Sequence, residues 1–227
     1  MNKQIVIFIA PPGAGKGTQA DLLAEKFDFA HVETSKLGEA KIKDEELVKK
    51  DPETAEAKRN FESGKLFPPP WTMKLVMEKV NELAAEDKSV IFSGSPRTLY
   101  EVEHELPEFE KLYRRDDIKI FYITLGEEES VKRNSERRIC EKNRHPIPRP
   151  EYDPKFKGIT VCPQDGSPII TRTLDKPEII RERYRVFLRD TTPVLDYFKE
   201  KDYKVIEING EQPIEKVFND IMEHFEK

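Results

Sequence analysis

Cysteine is nearly absent from this 227-residue chain, which carries only Cys140 and Cys162. Two thiols do not make a disulfide framework, and in the cytosolic setting expected here they read as free thiols or metal ligands. An excess of charge of one sign is also missing. The 39 Lys and Arg residues against 44 Asp and Glu leave a net −5, although 37% of the chain is charged. Such a balance marks no surface for duplex nucleic acid or an anionic membrane, so neither partner is expected. Long apolar runs are lacking too. The N-terminal run Ile5–Ala10 spans six residues, too few for a signal-peptide core or a membrane span, so a cytoplasmic protein is expected. Internal repeats and low-complexity tracts are not evident.

The chain does have enough apolar residues, 37%, for a core of one α/β domain carrying insertions. After the run Ile5–Ile9 comes Ala10-Pro11-Pro12-Gly13-Ala14-Gly15-Lys16-Gly17-Thr18, a glycine-rich turn with a lysine, placed between an expected buried strand and an expected helix. A helix N-terminus offers unpaired N–H groups and a positive dipole end, glycines let the backbone close around an anion, and Lys16 adds a full charge. A nucleoside triphosphate is the expected ligand. The pattern G-x-x-x-x-G-K-[ST] is missed twice, at Ala10 and where Gly17 precedes Thr18. The alternative is a glycine turn of some other α/β protein with a surface lysine.

Four more segments read as strands: Ala30–Val32, Ser89–Phe92, Ile118–Ile123 and Val205–Ile208. Helical patterns lie between them, with Ala20, Leu23, Ala24 and Phe27 on one face and Leu75, Val76, Val80 and Leu83 on another. The alternation predicts a doubly wound parallel sheet of five strands, of the P-loop NTPase type, with ligands beyond the carboxyl ends of its strands. Residues 33–68, polar and helical in tendency, and 138–174, rich in proline, glycine and arginine, interrupt this pattern as insertions. The second reads as a lid, since so long an excursion inside a compact domain serves function or is disordered, and its cysteines argue for order.

Phosphoryl transfer needs positive charge around a moving anion more than it needs a nucleophile. Arg97, in Ser93-Gly94-Ser95-Pro96-Arg97-Thr98 after the strand ending at Phe92, falls at the ligand-facing edge; an exposed turn arginine is the other reading. Arg133 and Arg137 sit four apart on an expected helix Glu127–Ile139, where a phosphate between them resolves their repulsion and Glu129 offers a plain ion pair instead. A further helix is expected from Asp175, with Asp175 as its cap, burying Ile180, Tyr184, Phe187 and Leu188. Arg183 lies at the edge of that apolar stripe, where it binds a phosphate or snorkels to solvent. Cys140-Glu141-Lys142-Asn143 and Cys162-Pro163-Gln164-Asp165 form two pairs with two intervening residues. With His145 nearby they suit a metal or a hydrogen-bonded network without one.

The run Gly13 to Ala20 closely resembles the phosphate loop of adenylate kinases and their nucleoside monophosphate kinase relatives, in which the extra glycine is normal. The resemblance extends in order through Pro96-Arg97-Thr98, Arg133 and Arg137, Arg172 and Arg183, and the late loop Asn209-Gly210-Glu211-Gln212-Pro213. It implies ATP with Mg²⁺ held by Gly13, Ala14, Gly15, Lys16, Gly17, Thr18, Arg133 and Gln212. It implies a monophosphate held by Thr34, Lys36, Lys65, Phe67, Gly94, Arg97 and Glu101, and catalysis by Lys16, Arg97, Arg133, Arg137, Arg172 and Arg183. Segments 1–32, 69–137 and 175–227 become the core, 33–68 a monophosphate-binding insertion, and 138–174 a lid. Long-lid members hold structural zinc through Cys-x-x-Cys paired with Cys-x-x-Cys or Cys-x-x-Asp; here Asn143 breaks that set, and Cys140, Cys162 and Asp165 would take His145 as the substitute fourth ligand. The implied activity is reversible transfer of the ATP γ-phosphoryl group to AMP or a related monophosphate in nucleotide biosynthesis, by a monomer.

Besides Asn143, the chain departs from the family pattern at five places. Glu39 stands for a phosphate-binding arginine, with Lys36 as partial compensation; Ser93 stands for the aspartate that orients waters around Mg²⁺; Leu174 stands for a lid aspartate. Ala10 replaces a loop glycine. Glu101 stands for an adenine-reading glutamine, and as an acceptor-only carboxylate suits cytosine or guanine better. These departures keep two alternatives: a nucleotide-binding module with degraded catalysis, and a kinase for CMP or GMP.

Overall fold

Burial on both faces explains why β1 (Ile5–Ile9) is an unbroken apolar run, every residue of which lies at 2% exposure or less in the computed structural model. That structure describes residues 3–63, 65–171 and 175–225. From β1 the chain turns through the glycine loop into α1 (Lys16–Phe27) and β2 (Ala30–Val32). The first insertion folds as α2 (Thr34–Ile42), α3 (Glu45–Lys50) and α4 (Pro52–Glu62), the last two begun by Asp44 and Asp51 carboxylates that accept backbone N–H groups of their first turns. The core resumes with α5 (Pro69–Ala85), β3 (Val90–Phe92), α6 (Leu99–Leu112), β4 (Ile118–Thr124) and α7 (Glu127–Ser135). The second insertion holds β5 (Arg138–Cys140), β6 (Pro146–Ile147) and β7 (Ile169–Ile170); α8 (Pro177–Val186), α9 (Thr192–Glu200), β8 (Val205–Asn209) and α10 (Ile214–Met222) complete the core.

The described strands of the core pair in parallel in the order β2-β3-β1-β4-β8, as the doubly wound reading predicts. The period of two along β1 divides its side chains between two helix layers. Ile5, Ile7 and Ile9 join Val76 and Val80 of α5, Leu106 of α6 and Phe198 of α9; Val6 and Phe8 join Leu23 of α1 and Ile221 of α10. Such burial contributes about 1.5–3 kcal/mol for each large aliphatic side chain. The sheet thus becomes a stiff base whose carboxyl edge carries the loop after β1 and the turn after β3.

Three local expectations are corrected. The helix expected over Glu127–Ile139 stops at Ser135, because Arg138–Cys140 leaves it to pair antiparallel with β6 and β7; Arg137 is therefore not on a shared helical face with Arg133. Asp175 is not a helix cap, since Lys176 occupies that place and the Asp175 carboxylate is committed to Arg137. Ile180 and Phe187 are buried as expected, but Leu188 is 51% exposed. A π-helical turn over Phe187–Thr191 follows α8, and its wider winding shifts the register that an uninterrupted α-helix would keep.

Candidate active site

Gly13 and Gly15 adopt φ of 80° and 86°, a region side chains with a Cβ rarely enter. A Cβ on Gly13 would also lie 2.4 Å from Asn134 Nδ2. Ala10 is outside the left-handed region, which is why alanine serves there. The Gly15 start of α1 has no side-chain cap, so its first N–H groups are left for an anion. Ser130 of α7 braces the loop by donating to the Pro12 carbonyl at 2.6 Å, and Lys16 Nζ donates to the carbonyls of Ala10 (3.2 Å) and Pro11 (3.4 Å). Burial, then Arg97, Arg183 and Arg137, push the Lys16 ammonium down to about 7, opposed by Glu33.

Those three arginines come from different elements. Arg97 follows β3, its carbonyl held at 2.8 Å by the Thr191 hydroxyl and its backbone N–H donating to Glu101 Oε2 at 2.6 Å. It lines a small cavity with Thr34, Ser35, Leu66, Phe67, Thr72, Gly94 and Glu101. The cavity lies between α2 and the turn after β3. The buried Thr34 hydroxyl there finds no hydrogen-bond partner among the described residues, which suits a ligand oxygen. Beneath it, the Ser95 hydroxyl lies between Glu101 Oε2 (3.3 Å) and Glu105 (2.9 Å). Burial raises both carboxyls, Glu105 well above its ordinary value, helped by the charge of Glu101. Burial also lowers Arg97, which stays cationic.

Arg137 grips Asp175 bidentately, Nη2 to Oδ1 at 2.7 Å and Nε to Oδ2 at 3.0 Å, and Arg183 Nη1 stands 3.9 Å from the same carboxylate. Asp175 is thus the shared anchor, and sequence reading missed it by assigning it to a cap. Arg133 takes the ion pair with Glu129 (2.8 Å) and also donates to the Gly210 carbonyl at 2.9 Å. Gln212 bonds the Asn209 carbonyl and Asp220, and Lys65 is exposed. Arg172 and Leu174 lie outside the described residues.

Ser93 does not stand alone. His31 Nε2 lies 2.7 Å from its hydroxyl and His31 Nδ1 2.7 Å from Asp21, and the donor atoms of Asp21, His31 and Glu33 gather within 4.8 Å of one another. Lys36 is paired with Glu33, so it does not offset Glu39 as expected. Arg144 of the second insertion does, pairing with both Glu39 carboxylate oxygens. In the same insertion, the Cys140 and Cys162 sulfurs, His145 Nδ1 and an Asp165 carboxylate oxygen lie within 4.8 Å of one another, while Asn143 Nδ2 donates to Asp165 at 2.8 Å. The structure therefore brings His145, and not Asn143, into the donor set. No described helix is long and apolar enough to cross a membrane.

A sequence model of one protein family, described as adenylate kinase, matches residues 8–203. Curated relatives cover nearly the whole chain. Adenylate kinase of Archaeoglobus fulgidus is 35% identical over 223 residues, 98% of this chain and 98% of its own. That of Petrotoga mobilis is 34% identical over 224 residues (95% and 94%), and that of Oceanobacillus iheyensis 34% over 228 (98% and 99%).

Proposed function

The chain belongs to the adenylate kinase family, a phosphotransferase acting on nucleoside monophosphates, and from that premise we propose how its residues divide the transfer of the ATP γ-phosphoryl group to AMP. The observation that carries the reading is the convergence of Arg97, from the turn after β3, and of Arg137 and Arg183, which share Asp175, on the buried Lys16 of the glycine loop, whose hold on its proton is weakened first by burial and then by those three charges. Asp175 offsets part of that charge, and a phosphate beside Lys16 and Arg97 would offset the rest. The Gly13–Thr18 backbone and Lys16 hold the triphosphate, with Arg133 and Gln212 on its far side. Arg97 and Thr34 hold the acceptor phosphate, and Lys36, Lys65, Phe67, Gly94 and Glu101 complete the acceptor side. Arg137, Arg183 and Arg172 meet the charge that develops on the equatorial oxygens in flight. Segments 33–68 and 138–174 serve as acceptor insertion and lid around the core 1–32, 69–137 and 175–227.

The Asp21 and Glu33 carboxylates, gathered with His31, offer oxygen donors that fit a hard divalent cation arriving with ATP, Mg²⁺, which would neutralise phosphate charge when bound. In the lid, the two sulfurs, one imidazole nitrogen and one carboxylate oxygen of Cys140, Cys162, His145 and Asp165 are a donor set that would suit a structural zinc ion. Zinc there would be structural, tying β5 to the turns around it.

The test is ADP formation from Mg²⁺-ATP with AMP, CMP, UMP and GMP in parallel, with Lys16→Ala as the blank. Turnover with AMP supports the reading, and Arg97→Ala should lower it by about a thousandfold without unfolding the chain. Background rates with all four acceptors beside measurable ATP binding would replace it with a binding module.

A further inference from the structure

Glu39 stands four residues after Ser35 on α2, so the two share a helix face, and Ser35 lines the cavity that holds Thr34, Gly94 and Arg97. Only 13% of the Glu39 side chain is exposed. A carboxylate one helical turn from that lining opposes the approach of a dianionic phosphate ester, and it is shielded from water that would otherwise screen it. The counter-charge comes from 105 residues along the chain, where Arg144 of the lid pairs with both carboxylate oxygens.

Arg144 is held in place for this contact. It occupies the turn between β5 and β6 with φ 58°, uncommon for a residue bearing a Cβ. The turn winds around Cys140: the N–H groups of Asn143 and His145 donate to its sulfur at 3.3 and 3.2 Å, and that of Arg144 to its carbonyl at 3.1 Å. Two-thirds of the Arg144 side chain is out of solvent, at 33% exposure. The pair thus differs from exposed surface ion pairs, whose median worth is small, and removing either partner leaves a poorly solvated charge.

We infer that Arg144 is a positioning residue of the acceptor site, which clasps the lid onto the first insertion through Glu39 and cancels the charge that Glu39 otherwise holds against the incoming monophosphate. The inference rests on the kinase reading above. It makes lid closure answer to the acceptor side, so that loss of the clasp raises KM for AMP more than it changes kcat or KM for ATP.

Three variants test it: Arg144→Ala, Glu39→Ala, and the exchange Glu39→Arg with Arg144→Glu. Each is read by steady-state kinetics, by calorimetric AMP binding, and by the distance between dyes carried on unnatural amino acids at the exposed positions Lys49 and Lys157. Arg144→Ala should raise KM for AMP about tenfold, with KM for ATP within about twofold, and lengthen the dye distance. Glu39→Ala should lengthen the distance while leaving KM for AMP near the parent, because the opposing charge is gone. The exchange should restore both, which a merely structural role would not allow. An unchanged KM and distance in Arg144→Ala, or an exchange variant no better than Arg144→Ala, overturns the clasp. If the parent lacks AMP turnover the kinase reading fails, and the dye distance with calorimetry still decides the clasp.

Discussion

A lysine crowded by three arginines holds its proton weakly. Burial and the charges of Arg97, Arg183 and Arg137 bring Lys16 from 10.5 down to about 7, so near pH 8 much of it is neutral in the free protein. A polyphosphate on the loop reverses the balance and draws a proton back onto Nζ. ATP binding at pH 8 should therefore take up protons, seen as a dependence of the calorimetric heat on buffer ionisation enthalpy, and Lys16→Met should abolish it. The same shift sets the sign for the free protein. Between pH 7 and 10.5 the unfolded chain binds more protons at this lysine than the folded one, so the Lys16 contribution makes stability rise with pH across that window. Identical heats in all buffers would refute the proton uptake. Lys16 and Arg97 were legible because their neighbours in sequence, a glycine turn and a strand end, fix where they point. Asp175 was not, because its burial depends on Arg137, 38 residues earlier.

At the scale of elements, α2 owes its close approach to the acceptor pocket to Gly38. A Cβ there would stand 2.3 Å from Cε2 of Phe67, whose displacement would disturb its packing against Phe61 at 5.6 Å and Trp71 at 5.0 Å between ring centres. Helix propensity alone favours alanine by roughly 1 kcal/mol. Overpacking should win: Gly38→Ala is expected to lower stability by about 1–3 kcal/mol in urea unfolding, and to weaken AMP binding because Phe67 lines that pocket. A gain in stability with AMP binding intact would show that α2 shifts freely. The core elements were readable because each is periodic and locally complete. The end of α7 was not, since the period continues past Ser135 and only the pairing of Arg138–Cys140 with β6 and β7 stops it. Nor does any local pattern announce the π-helical turn that exposes Leu188, or a partner for Glu39 that is 105 residues distant.

The described residues form a sheet with a hydrophobic layer on each face and a second insertion, the proposed lid, with scarcely any core. Among the described residues the lid's buried cluster is Cys140, Ile147 and Cys162, with Phe156 and Ile169 packed against it. A segment this small, below about 40 residues, does not fold on so little apolar burial without a staple. The gathered Cys140, His145, Cys162 and Asp165 donors would supply one by holding a metal ion. The partition predicts a local response to metal removal. Protein prepared without chelator should carry one zinc per chain. Stripping it should speed amide exchange in β5, β6 and β7 while β1 and β4 keep their protection, and Cys140→Ser should reproduce the stripped pattern. A zinc-free preparation whose lid amides exchange as slowly before and after chelation would mean that the hydrogen bonds from Asn143 to Asp165 and from the turn to Cys140 hold the lid unaided.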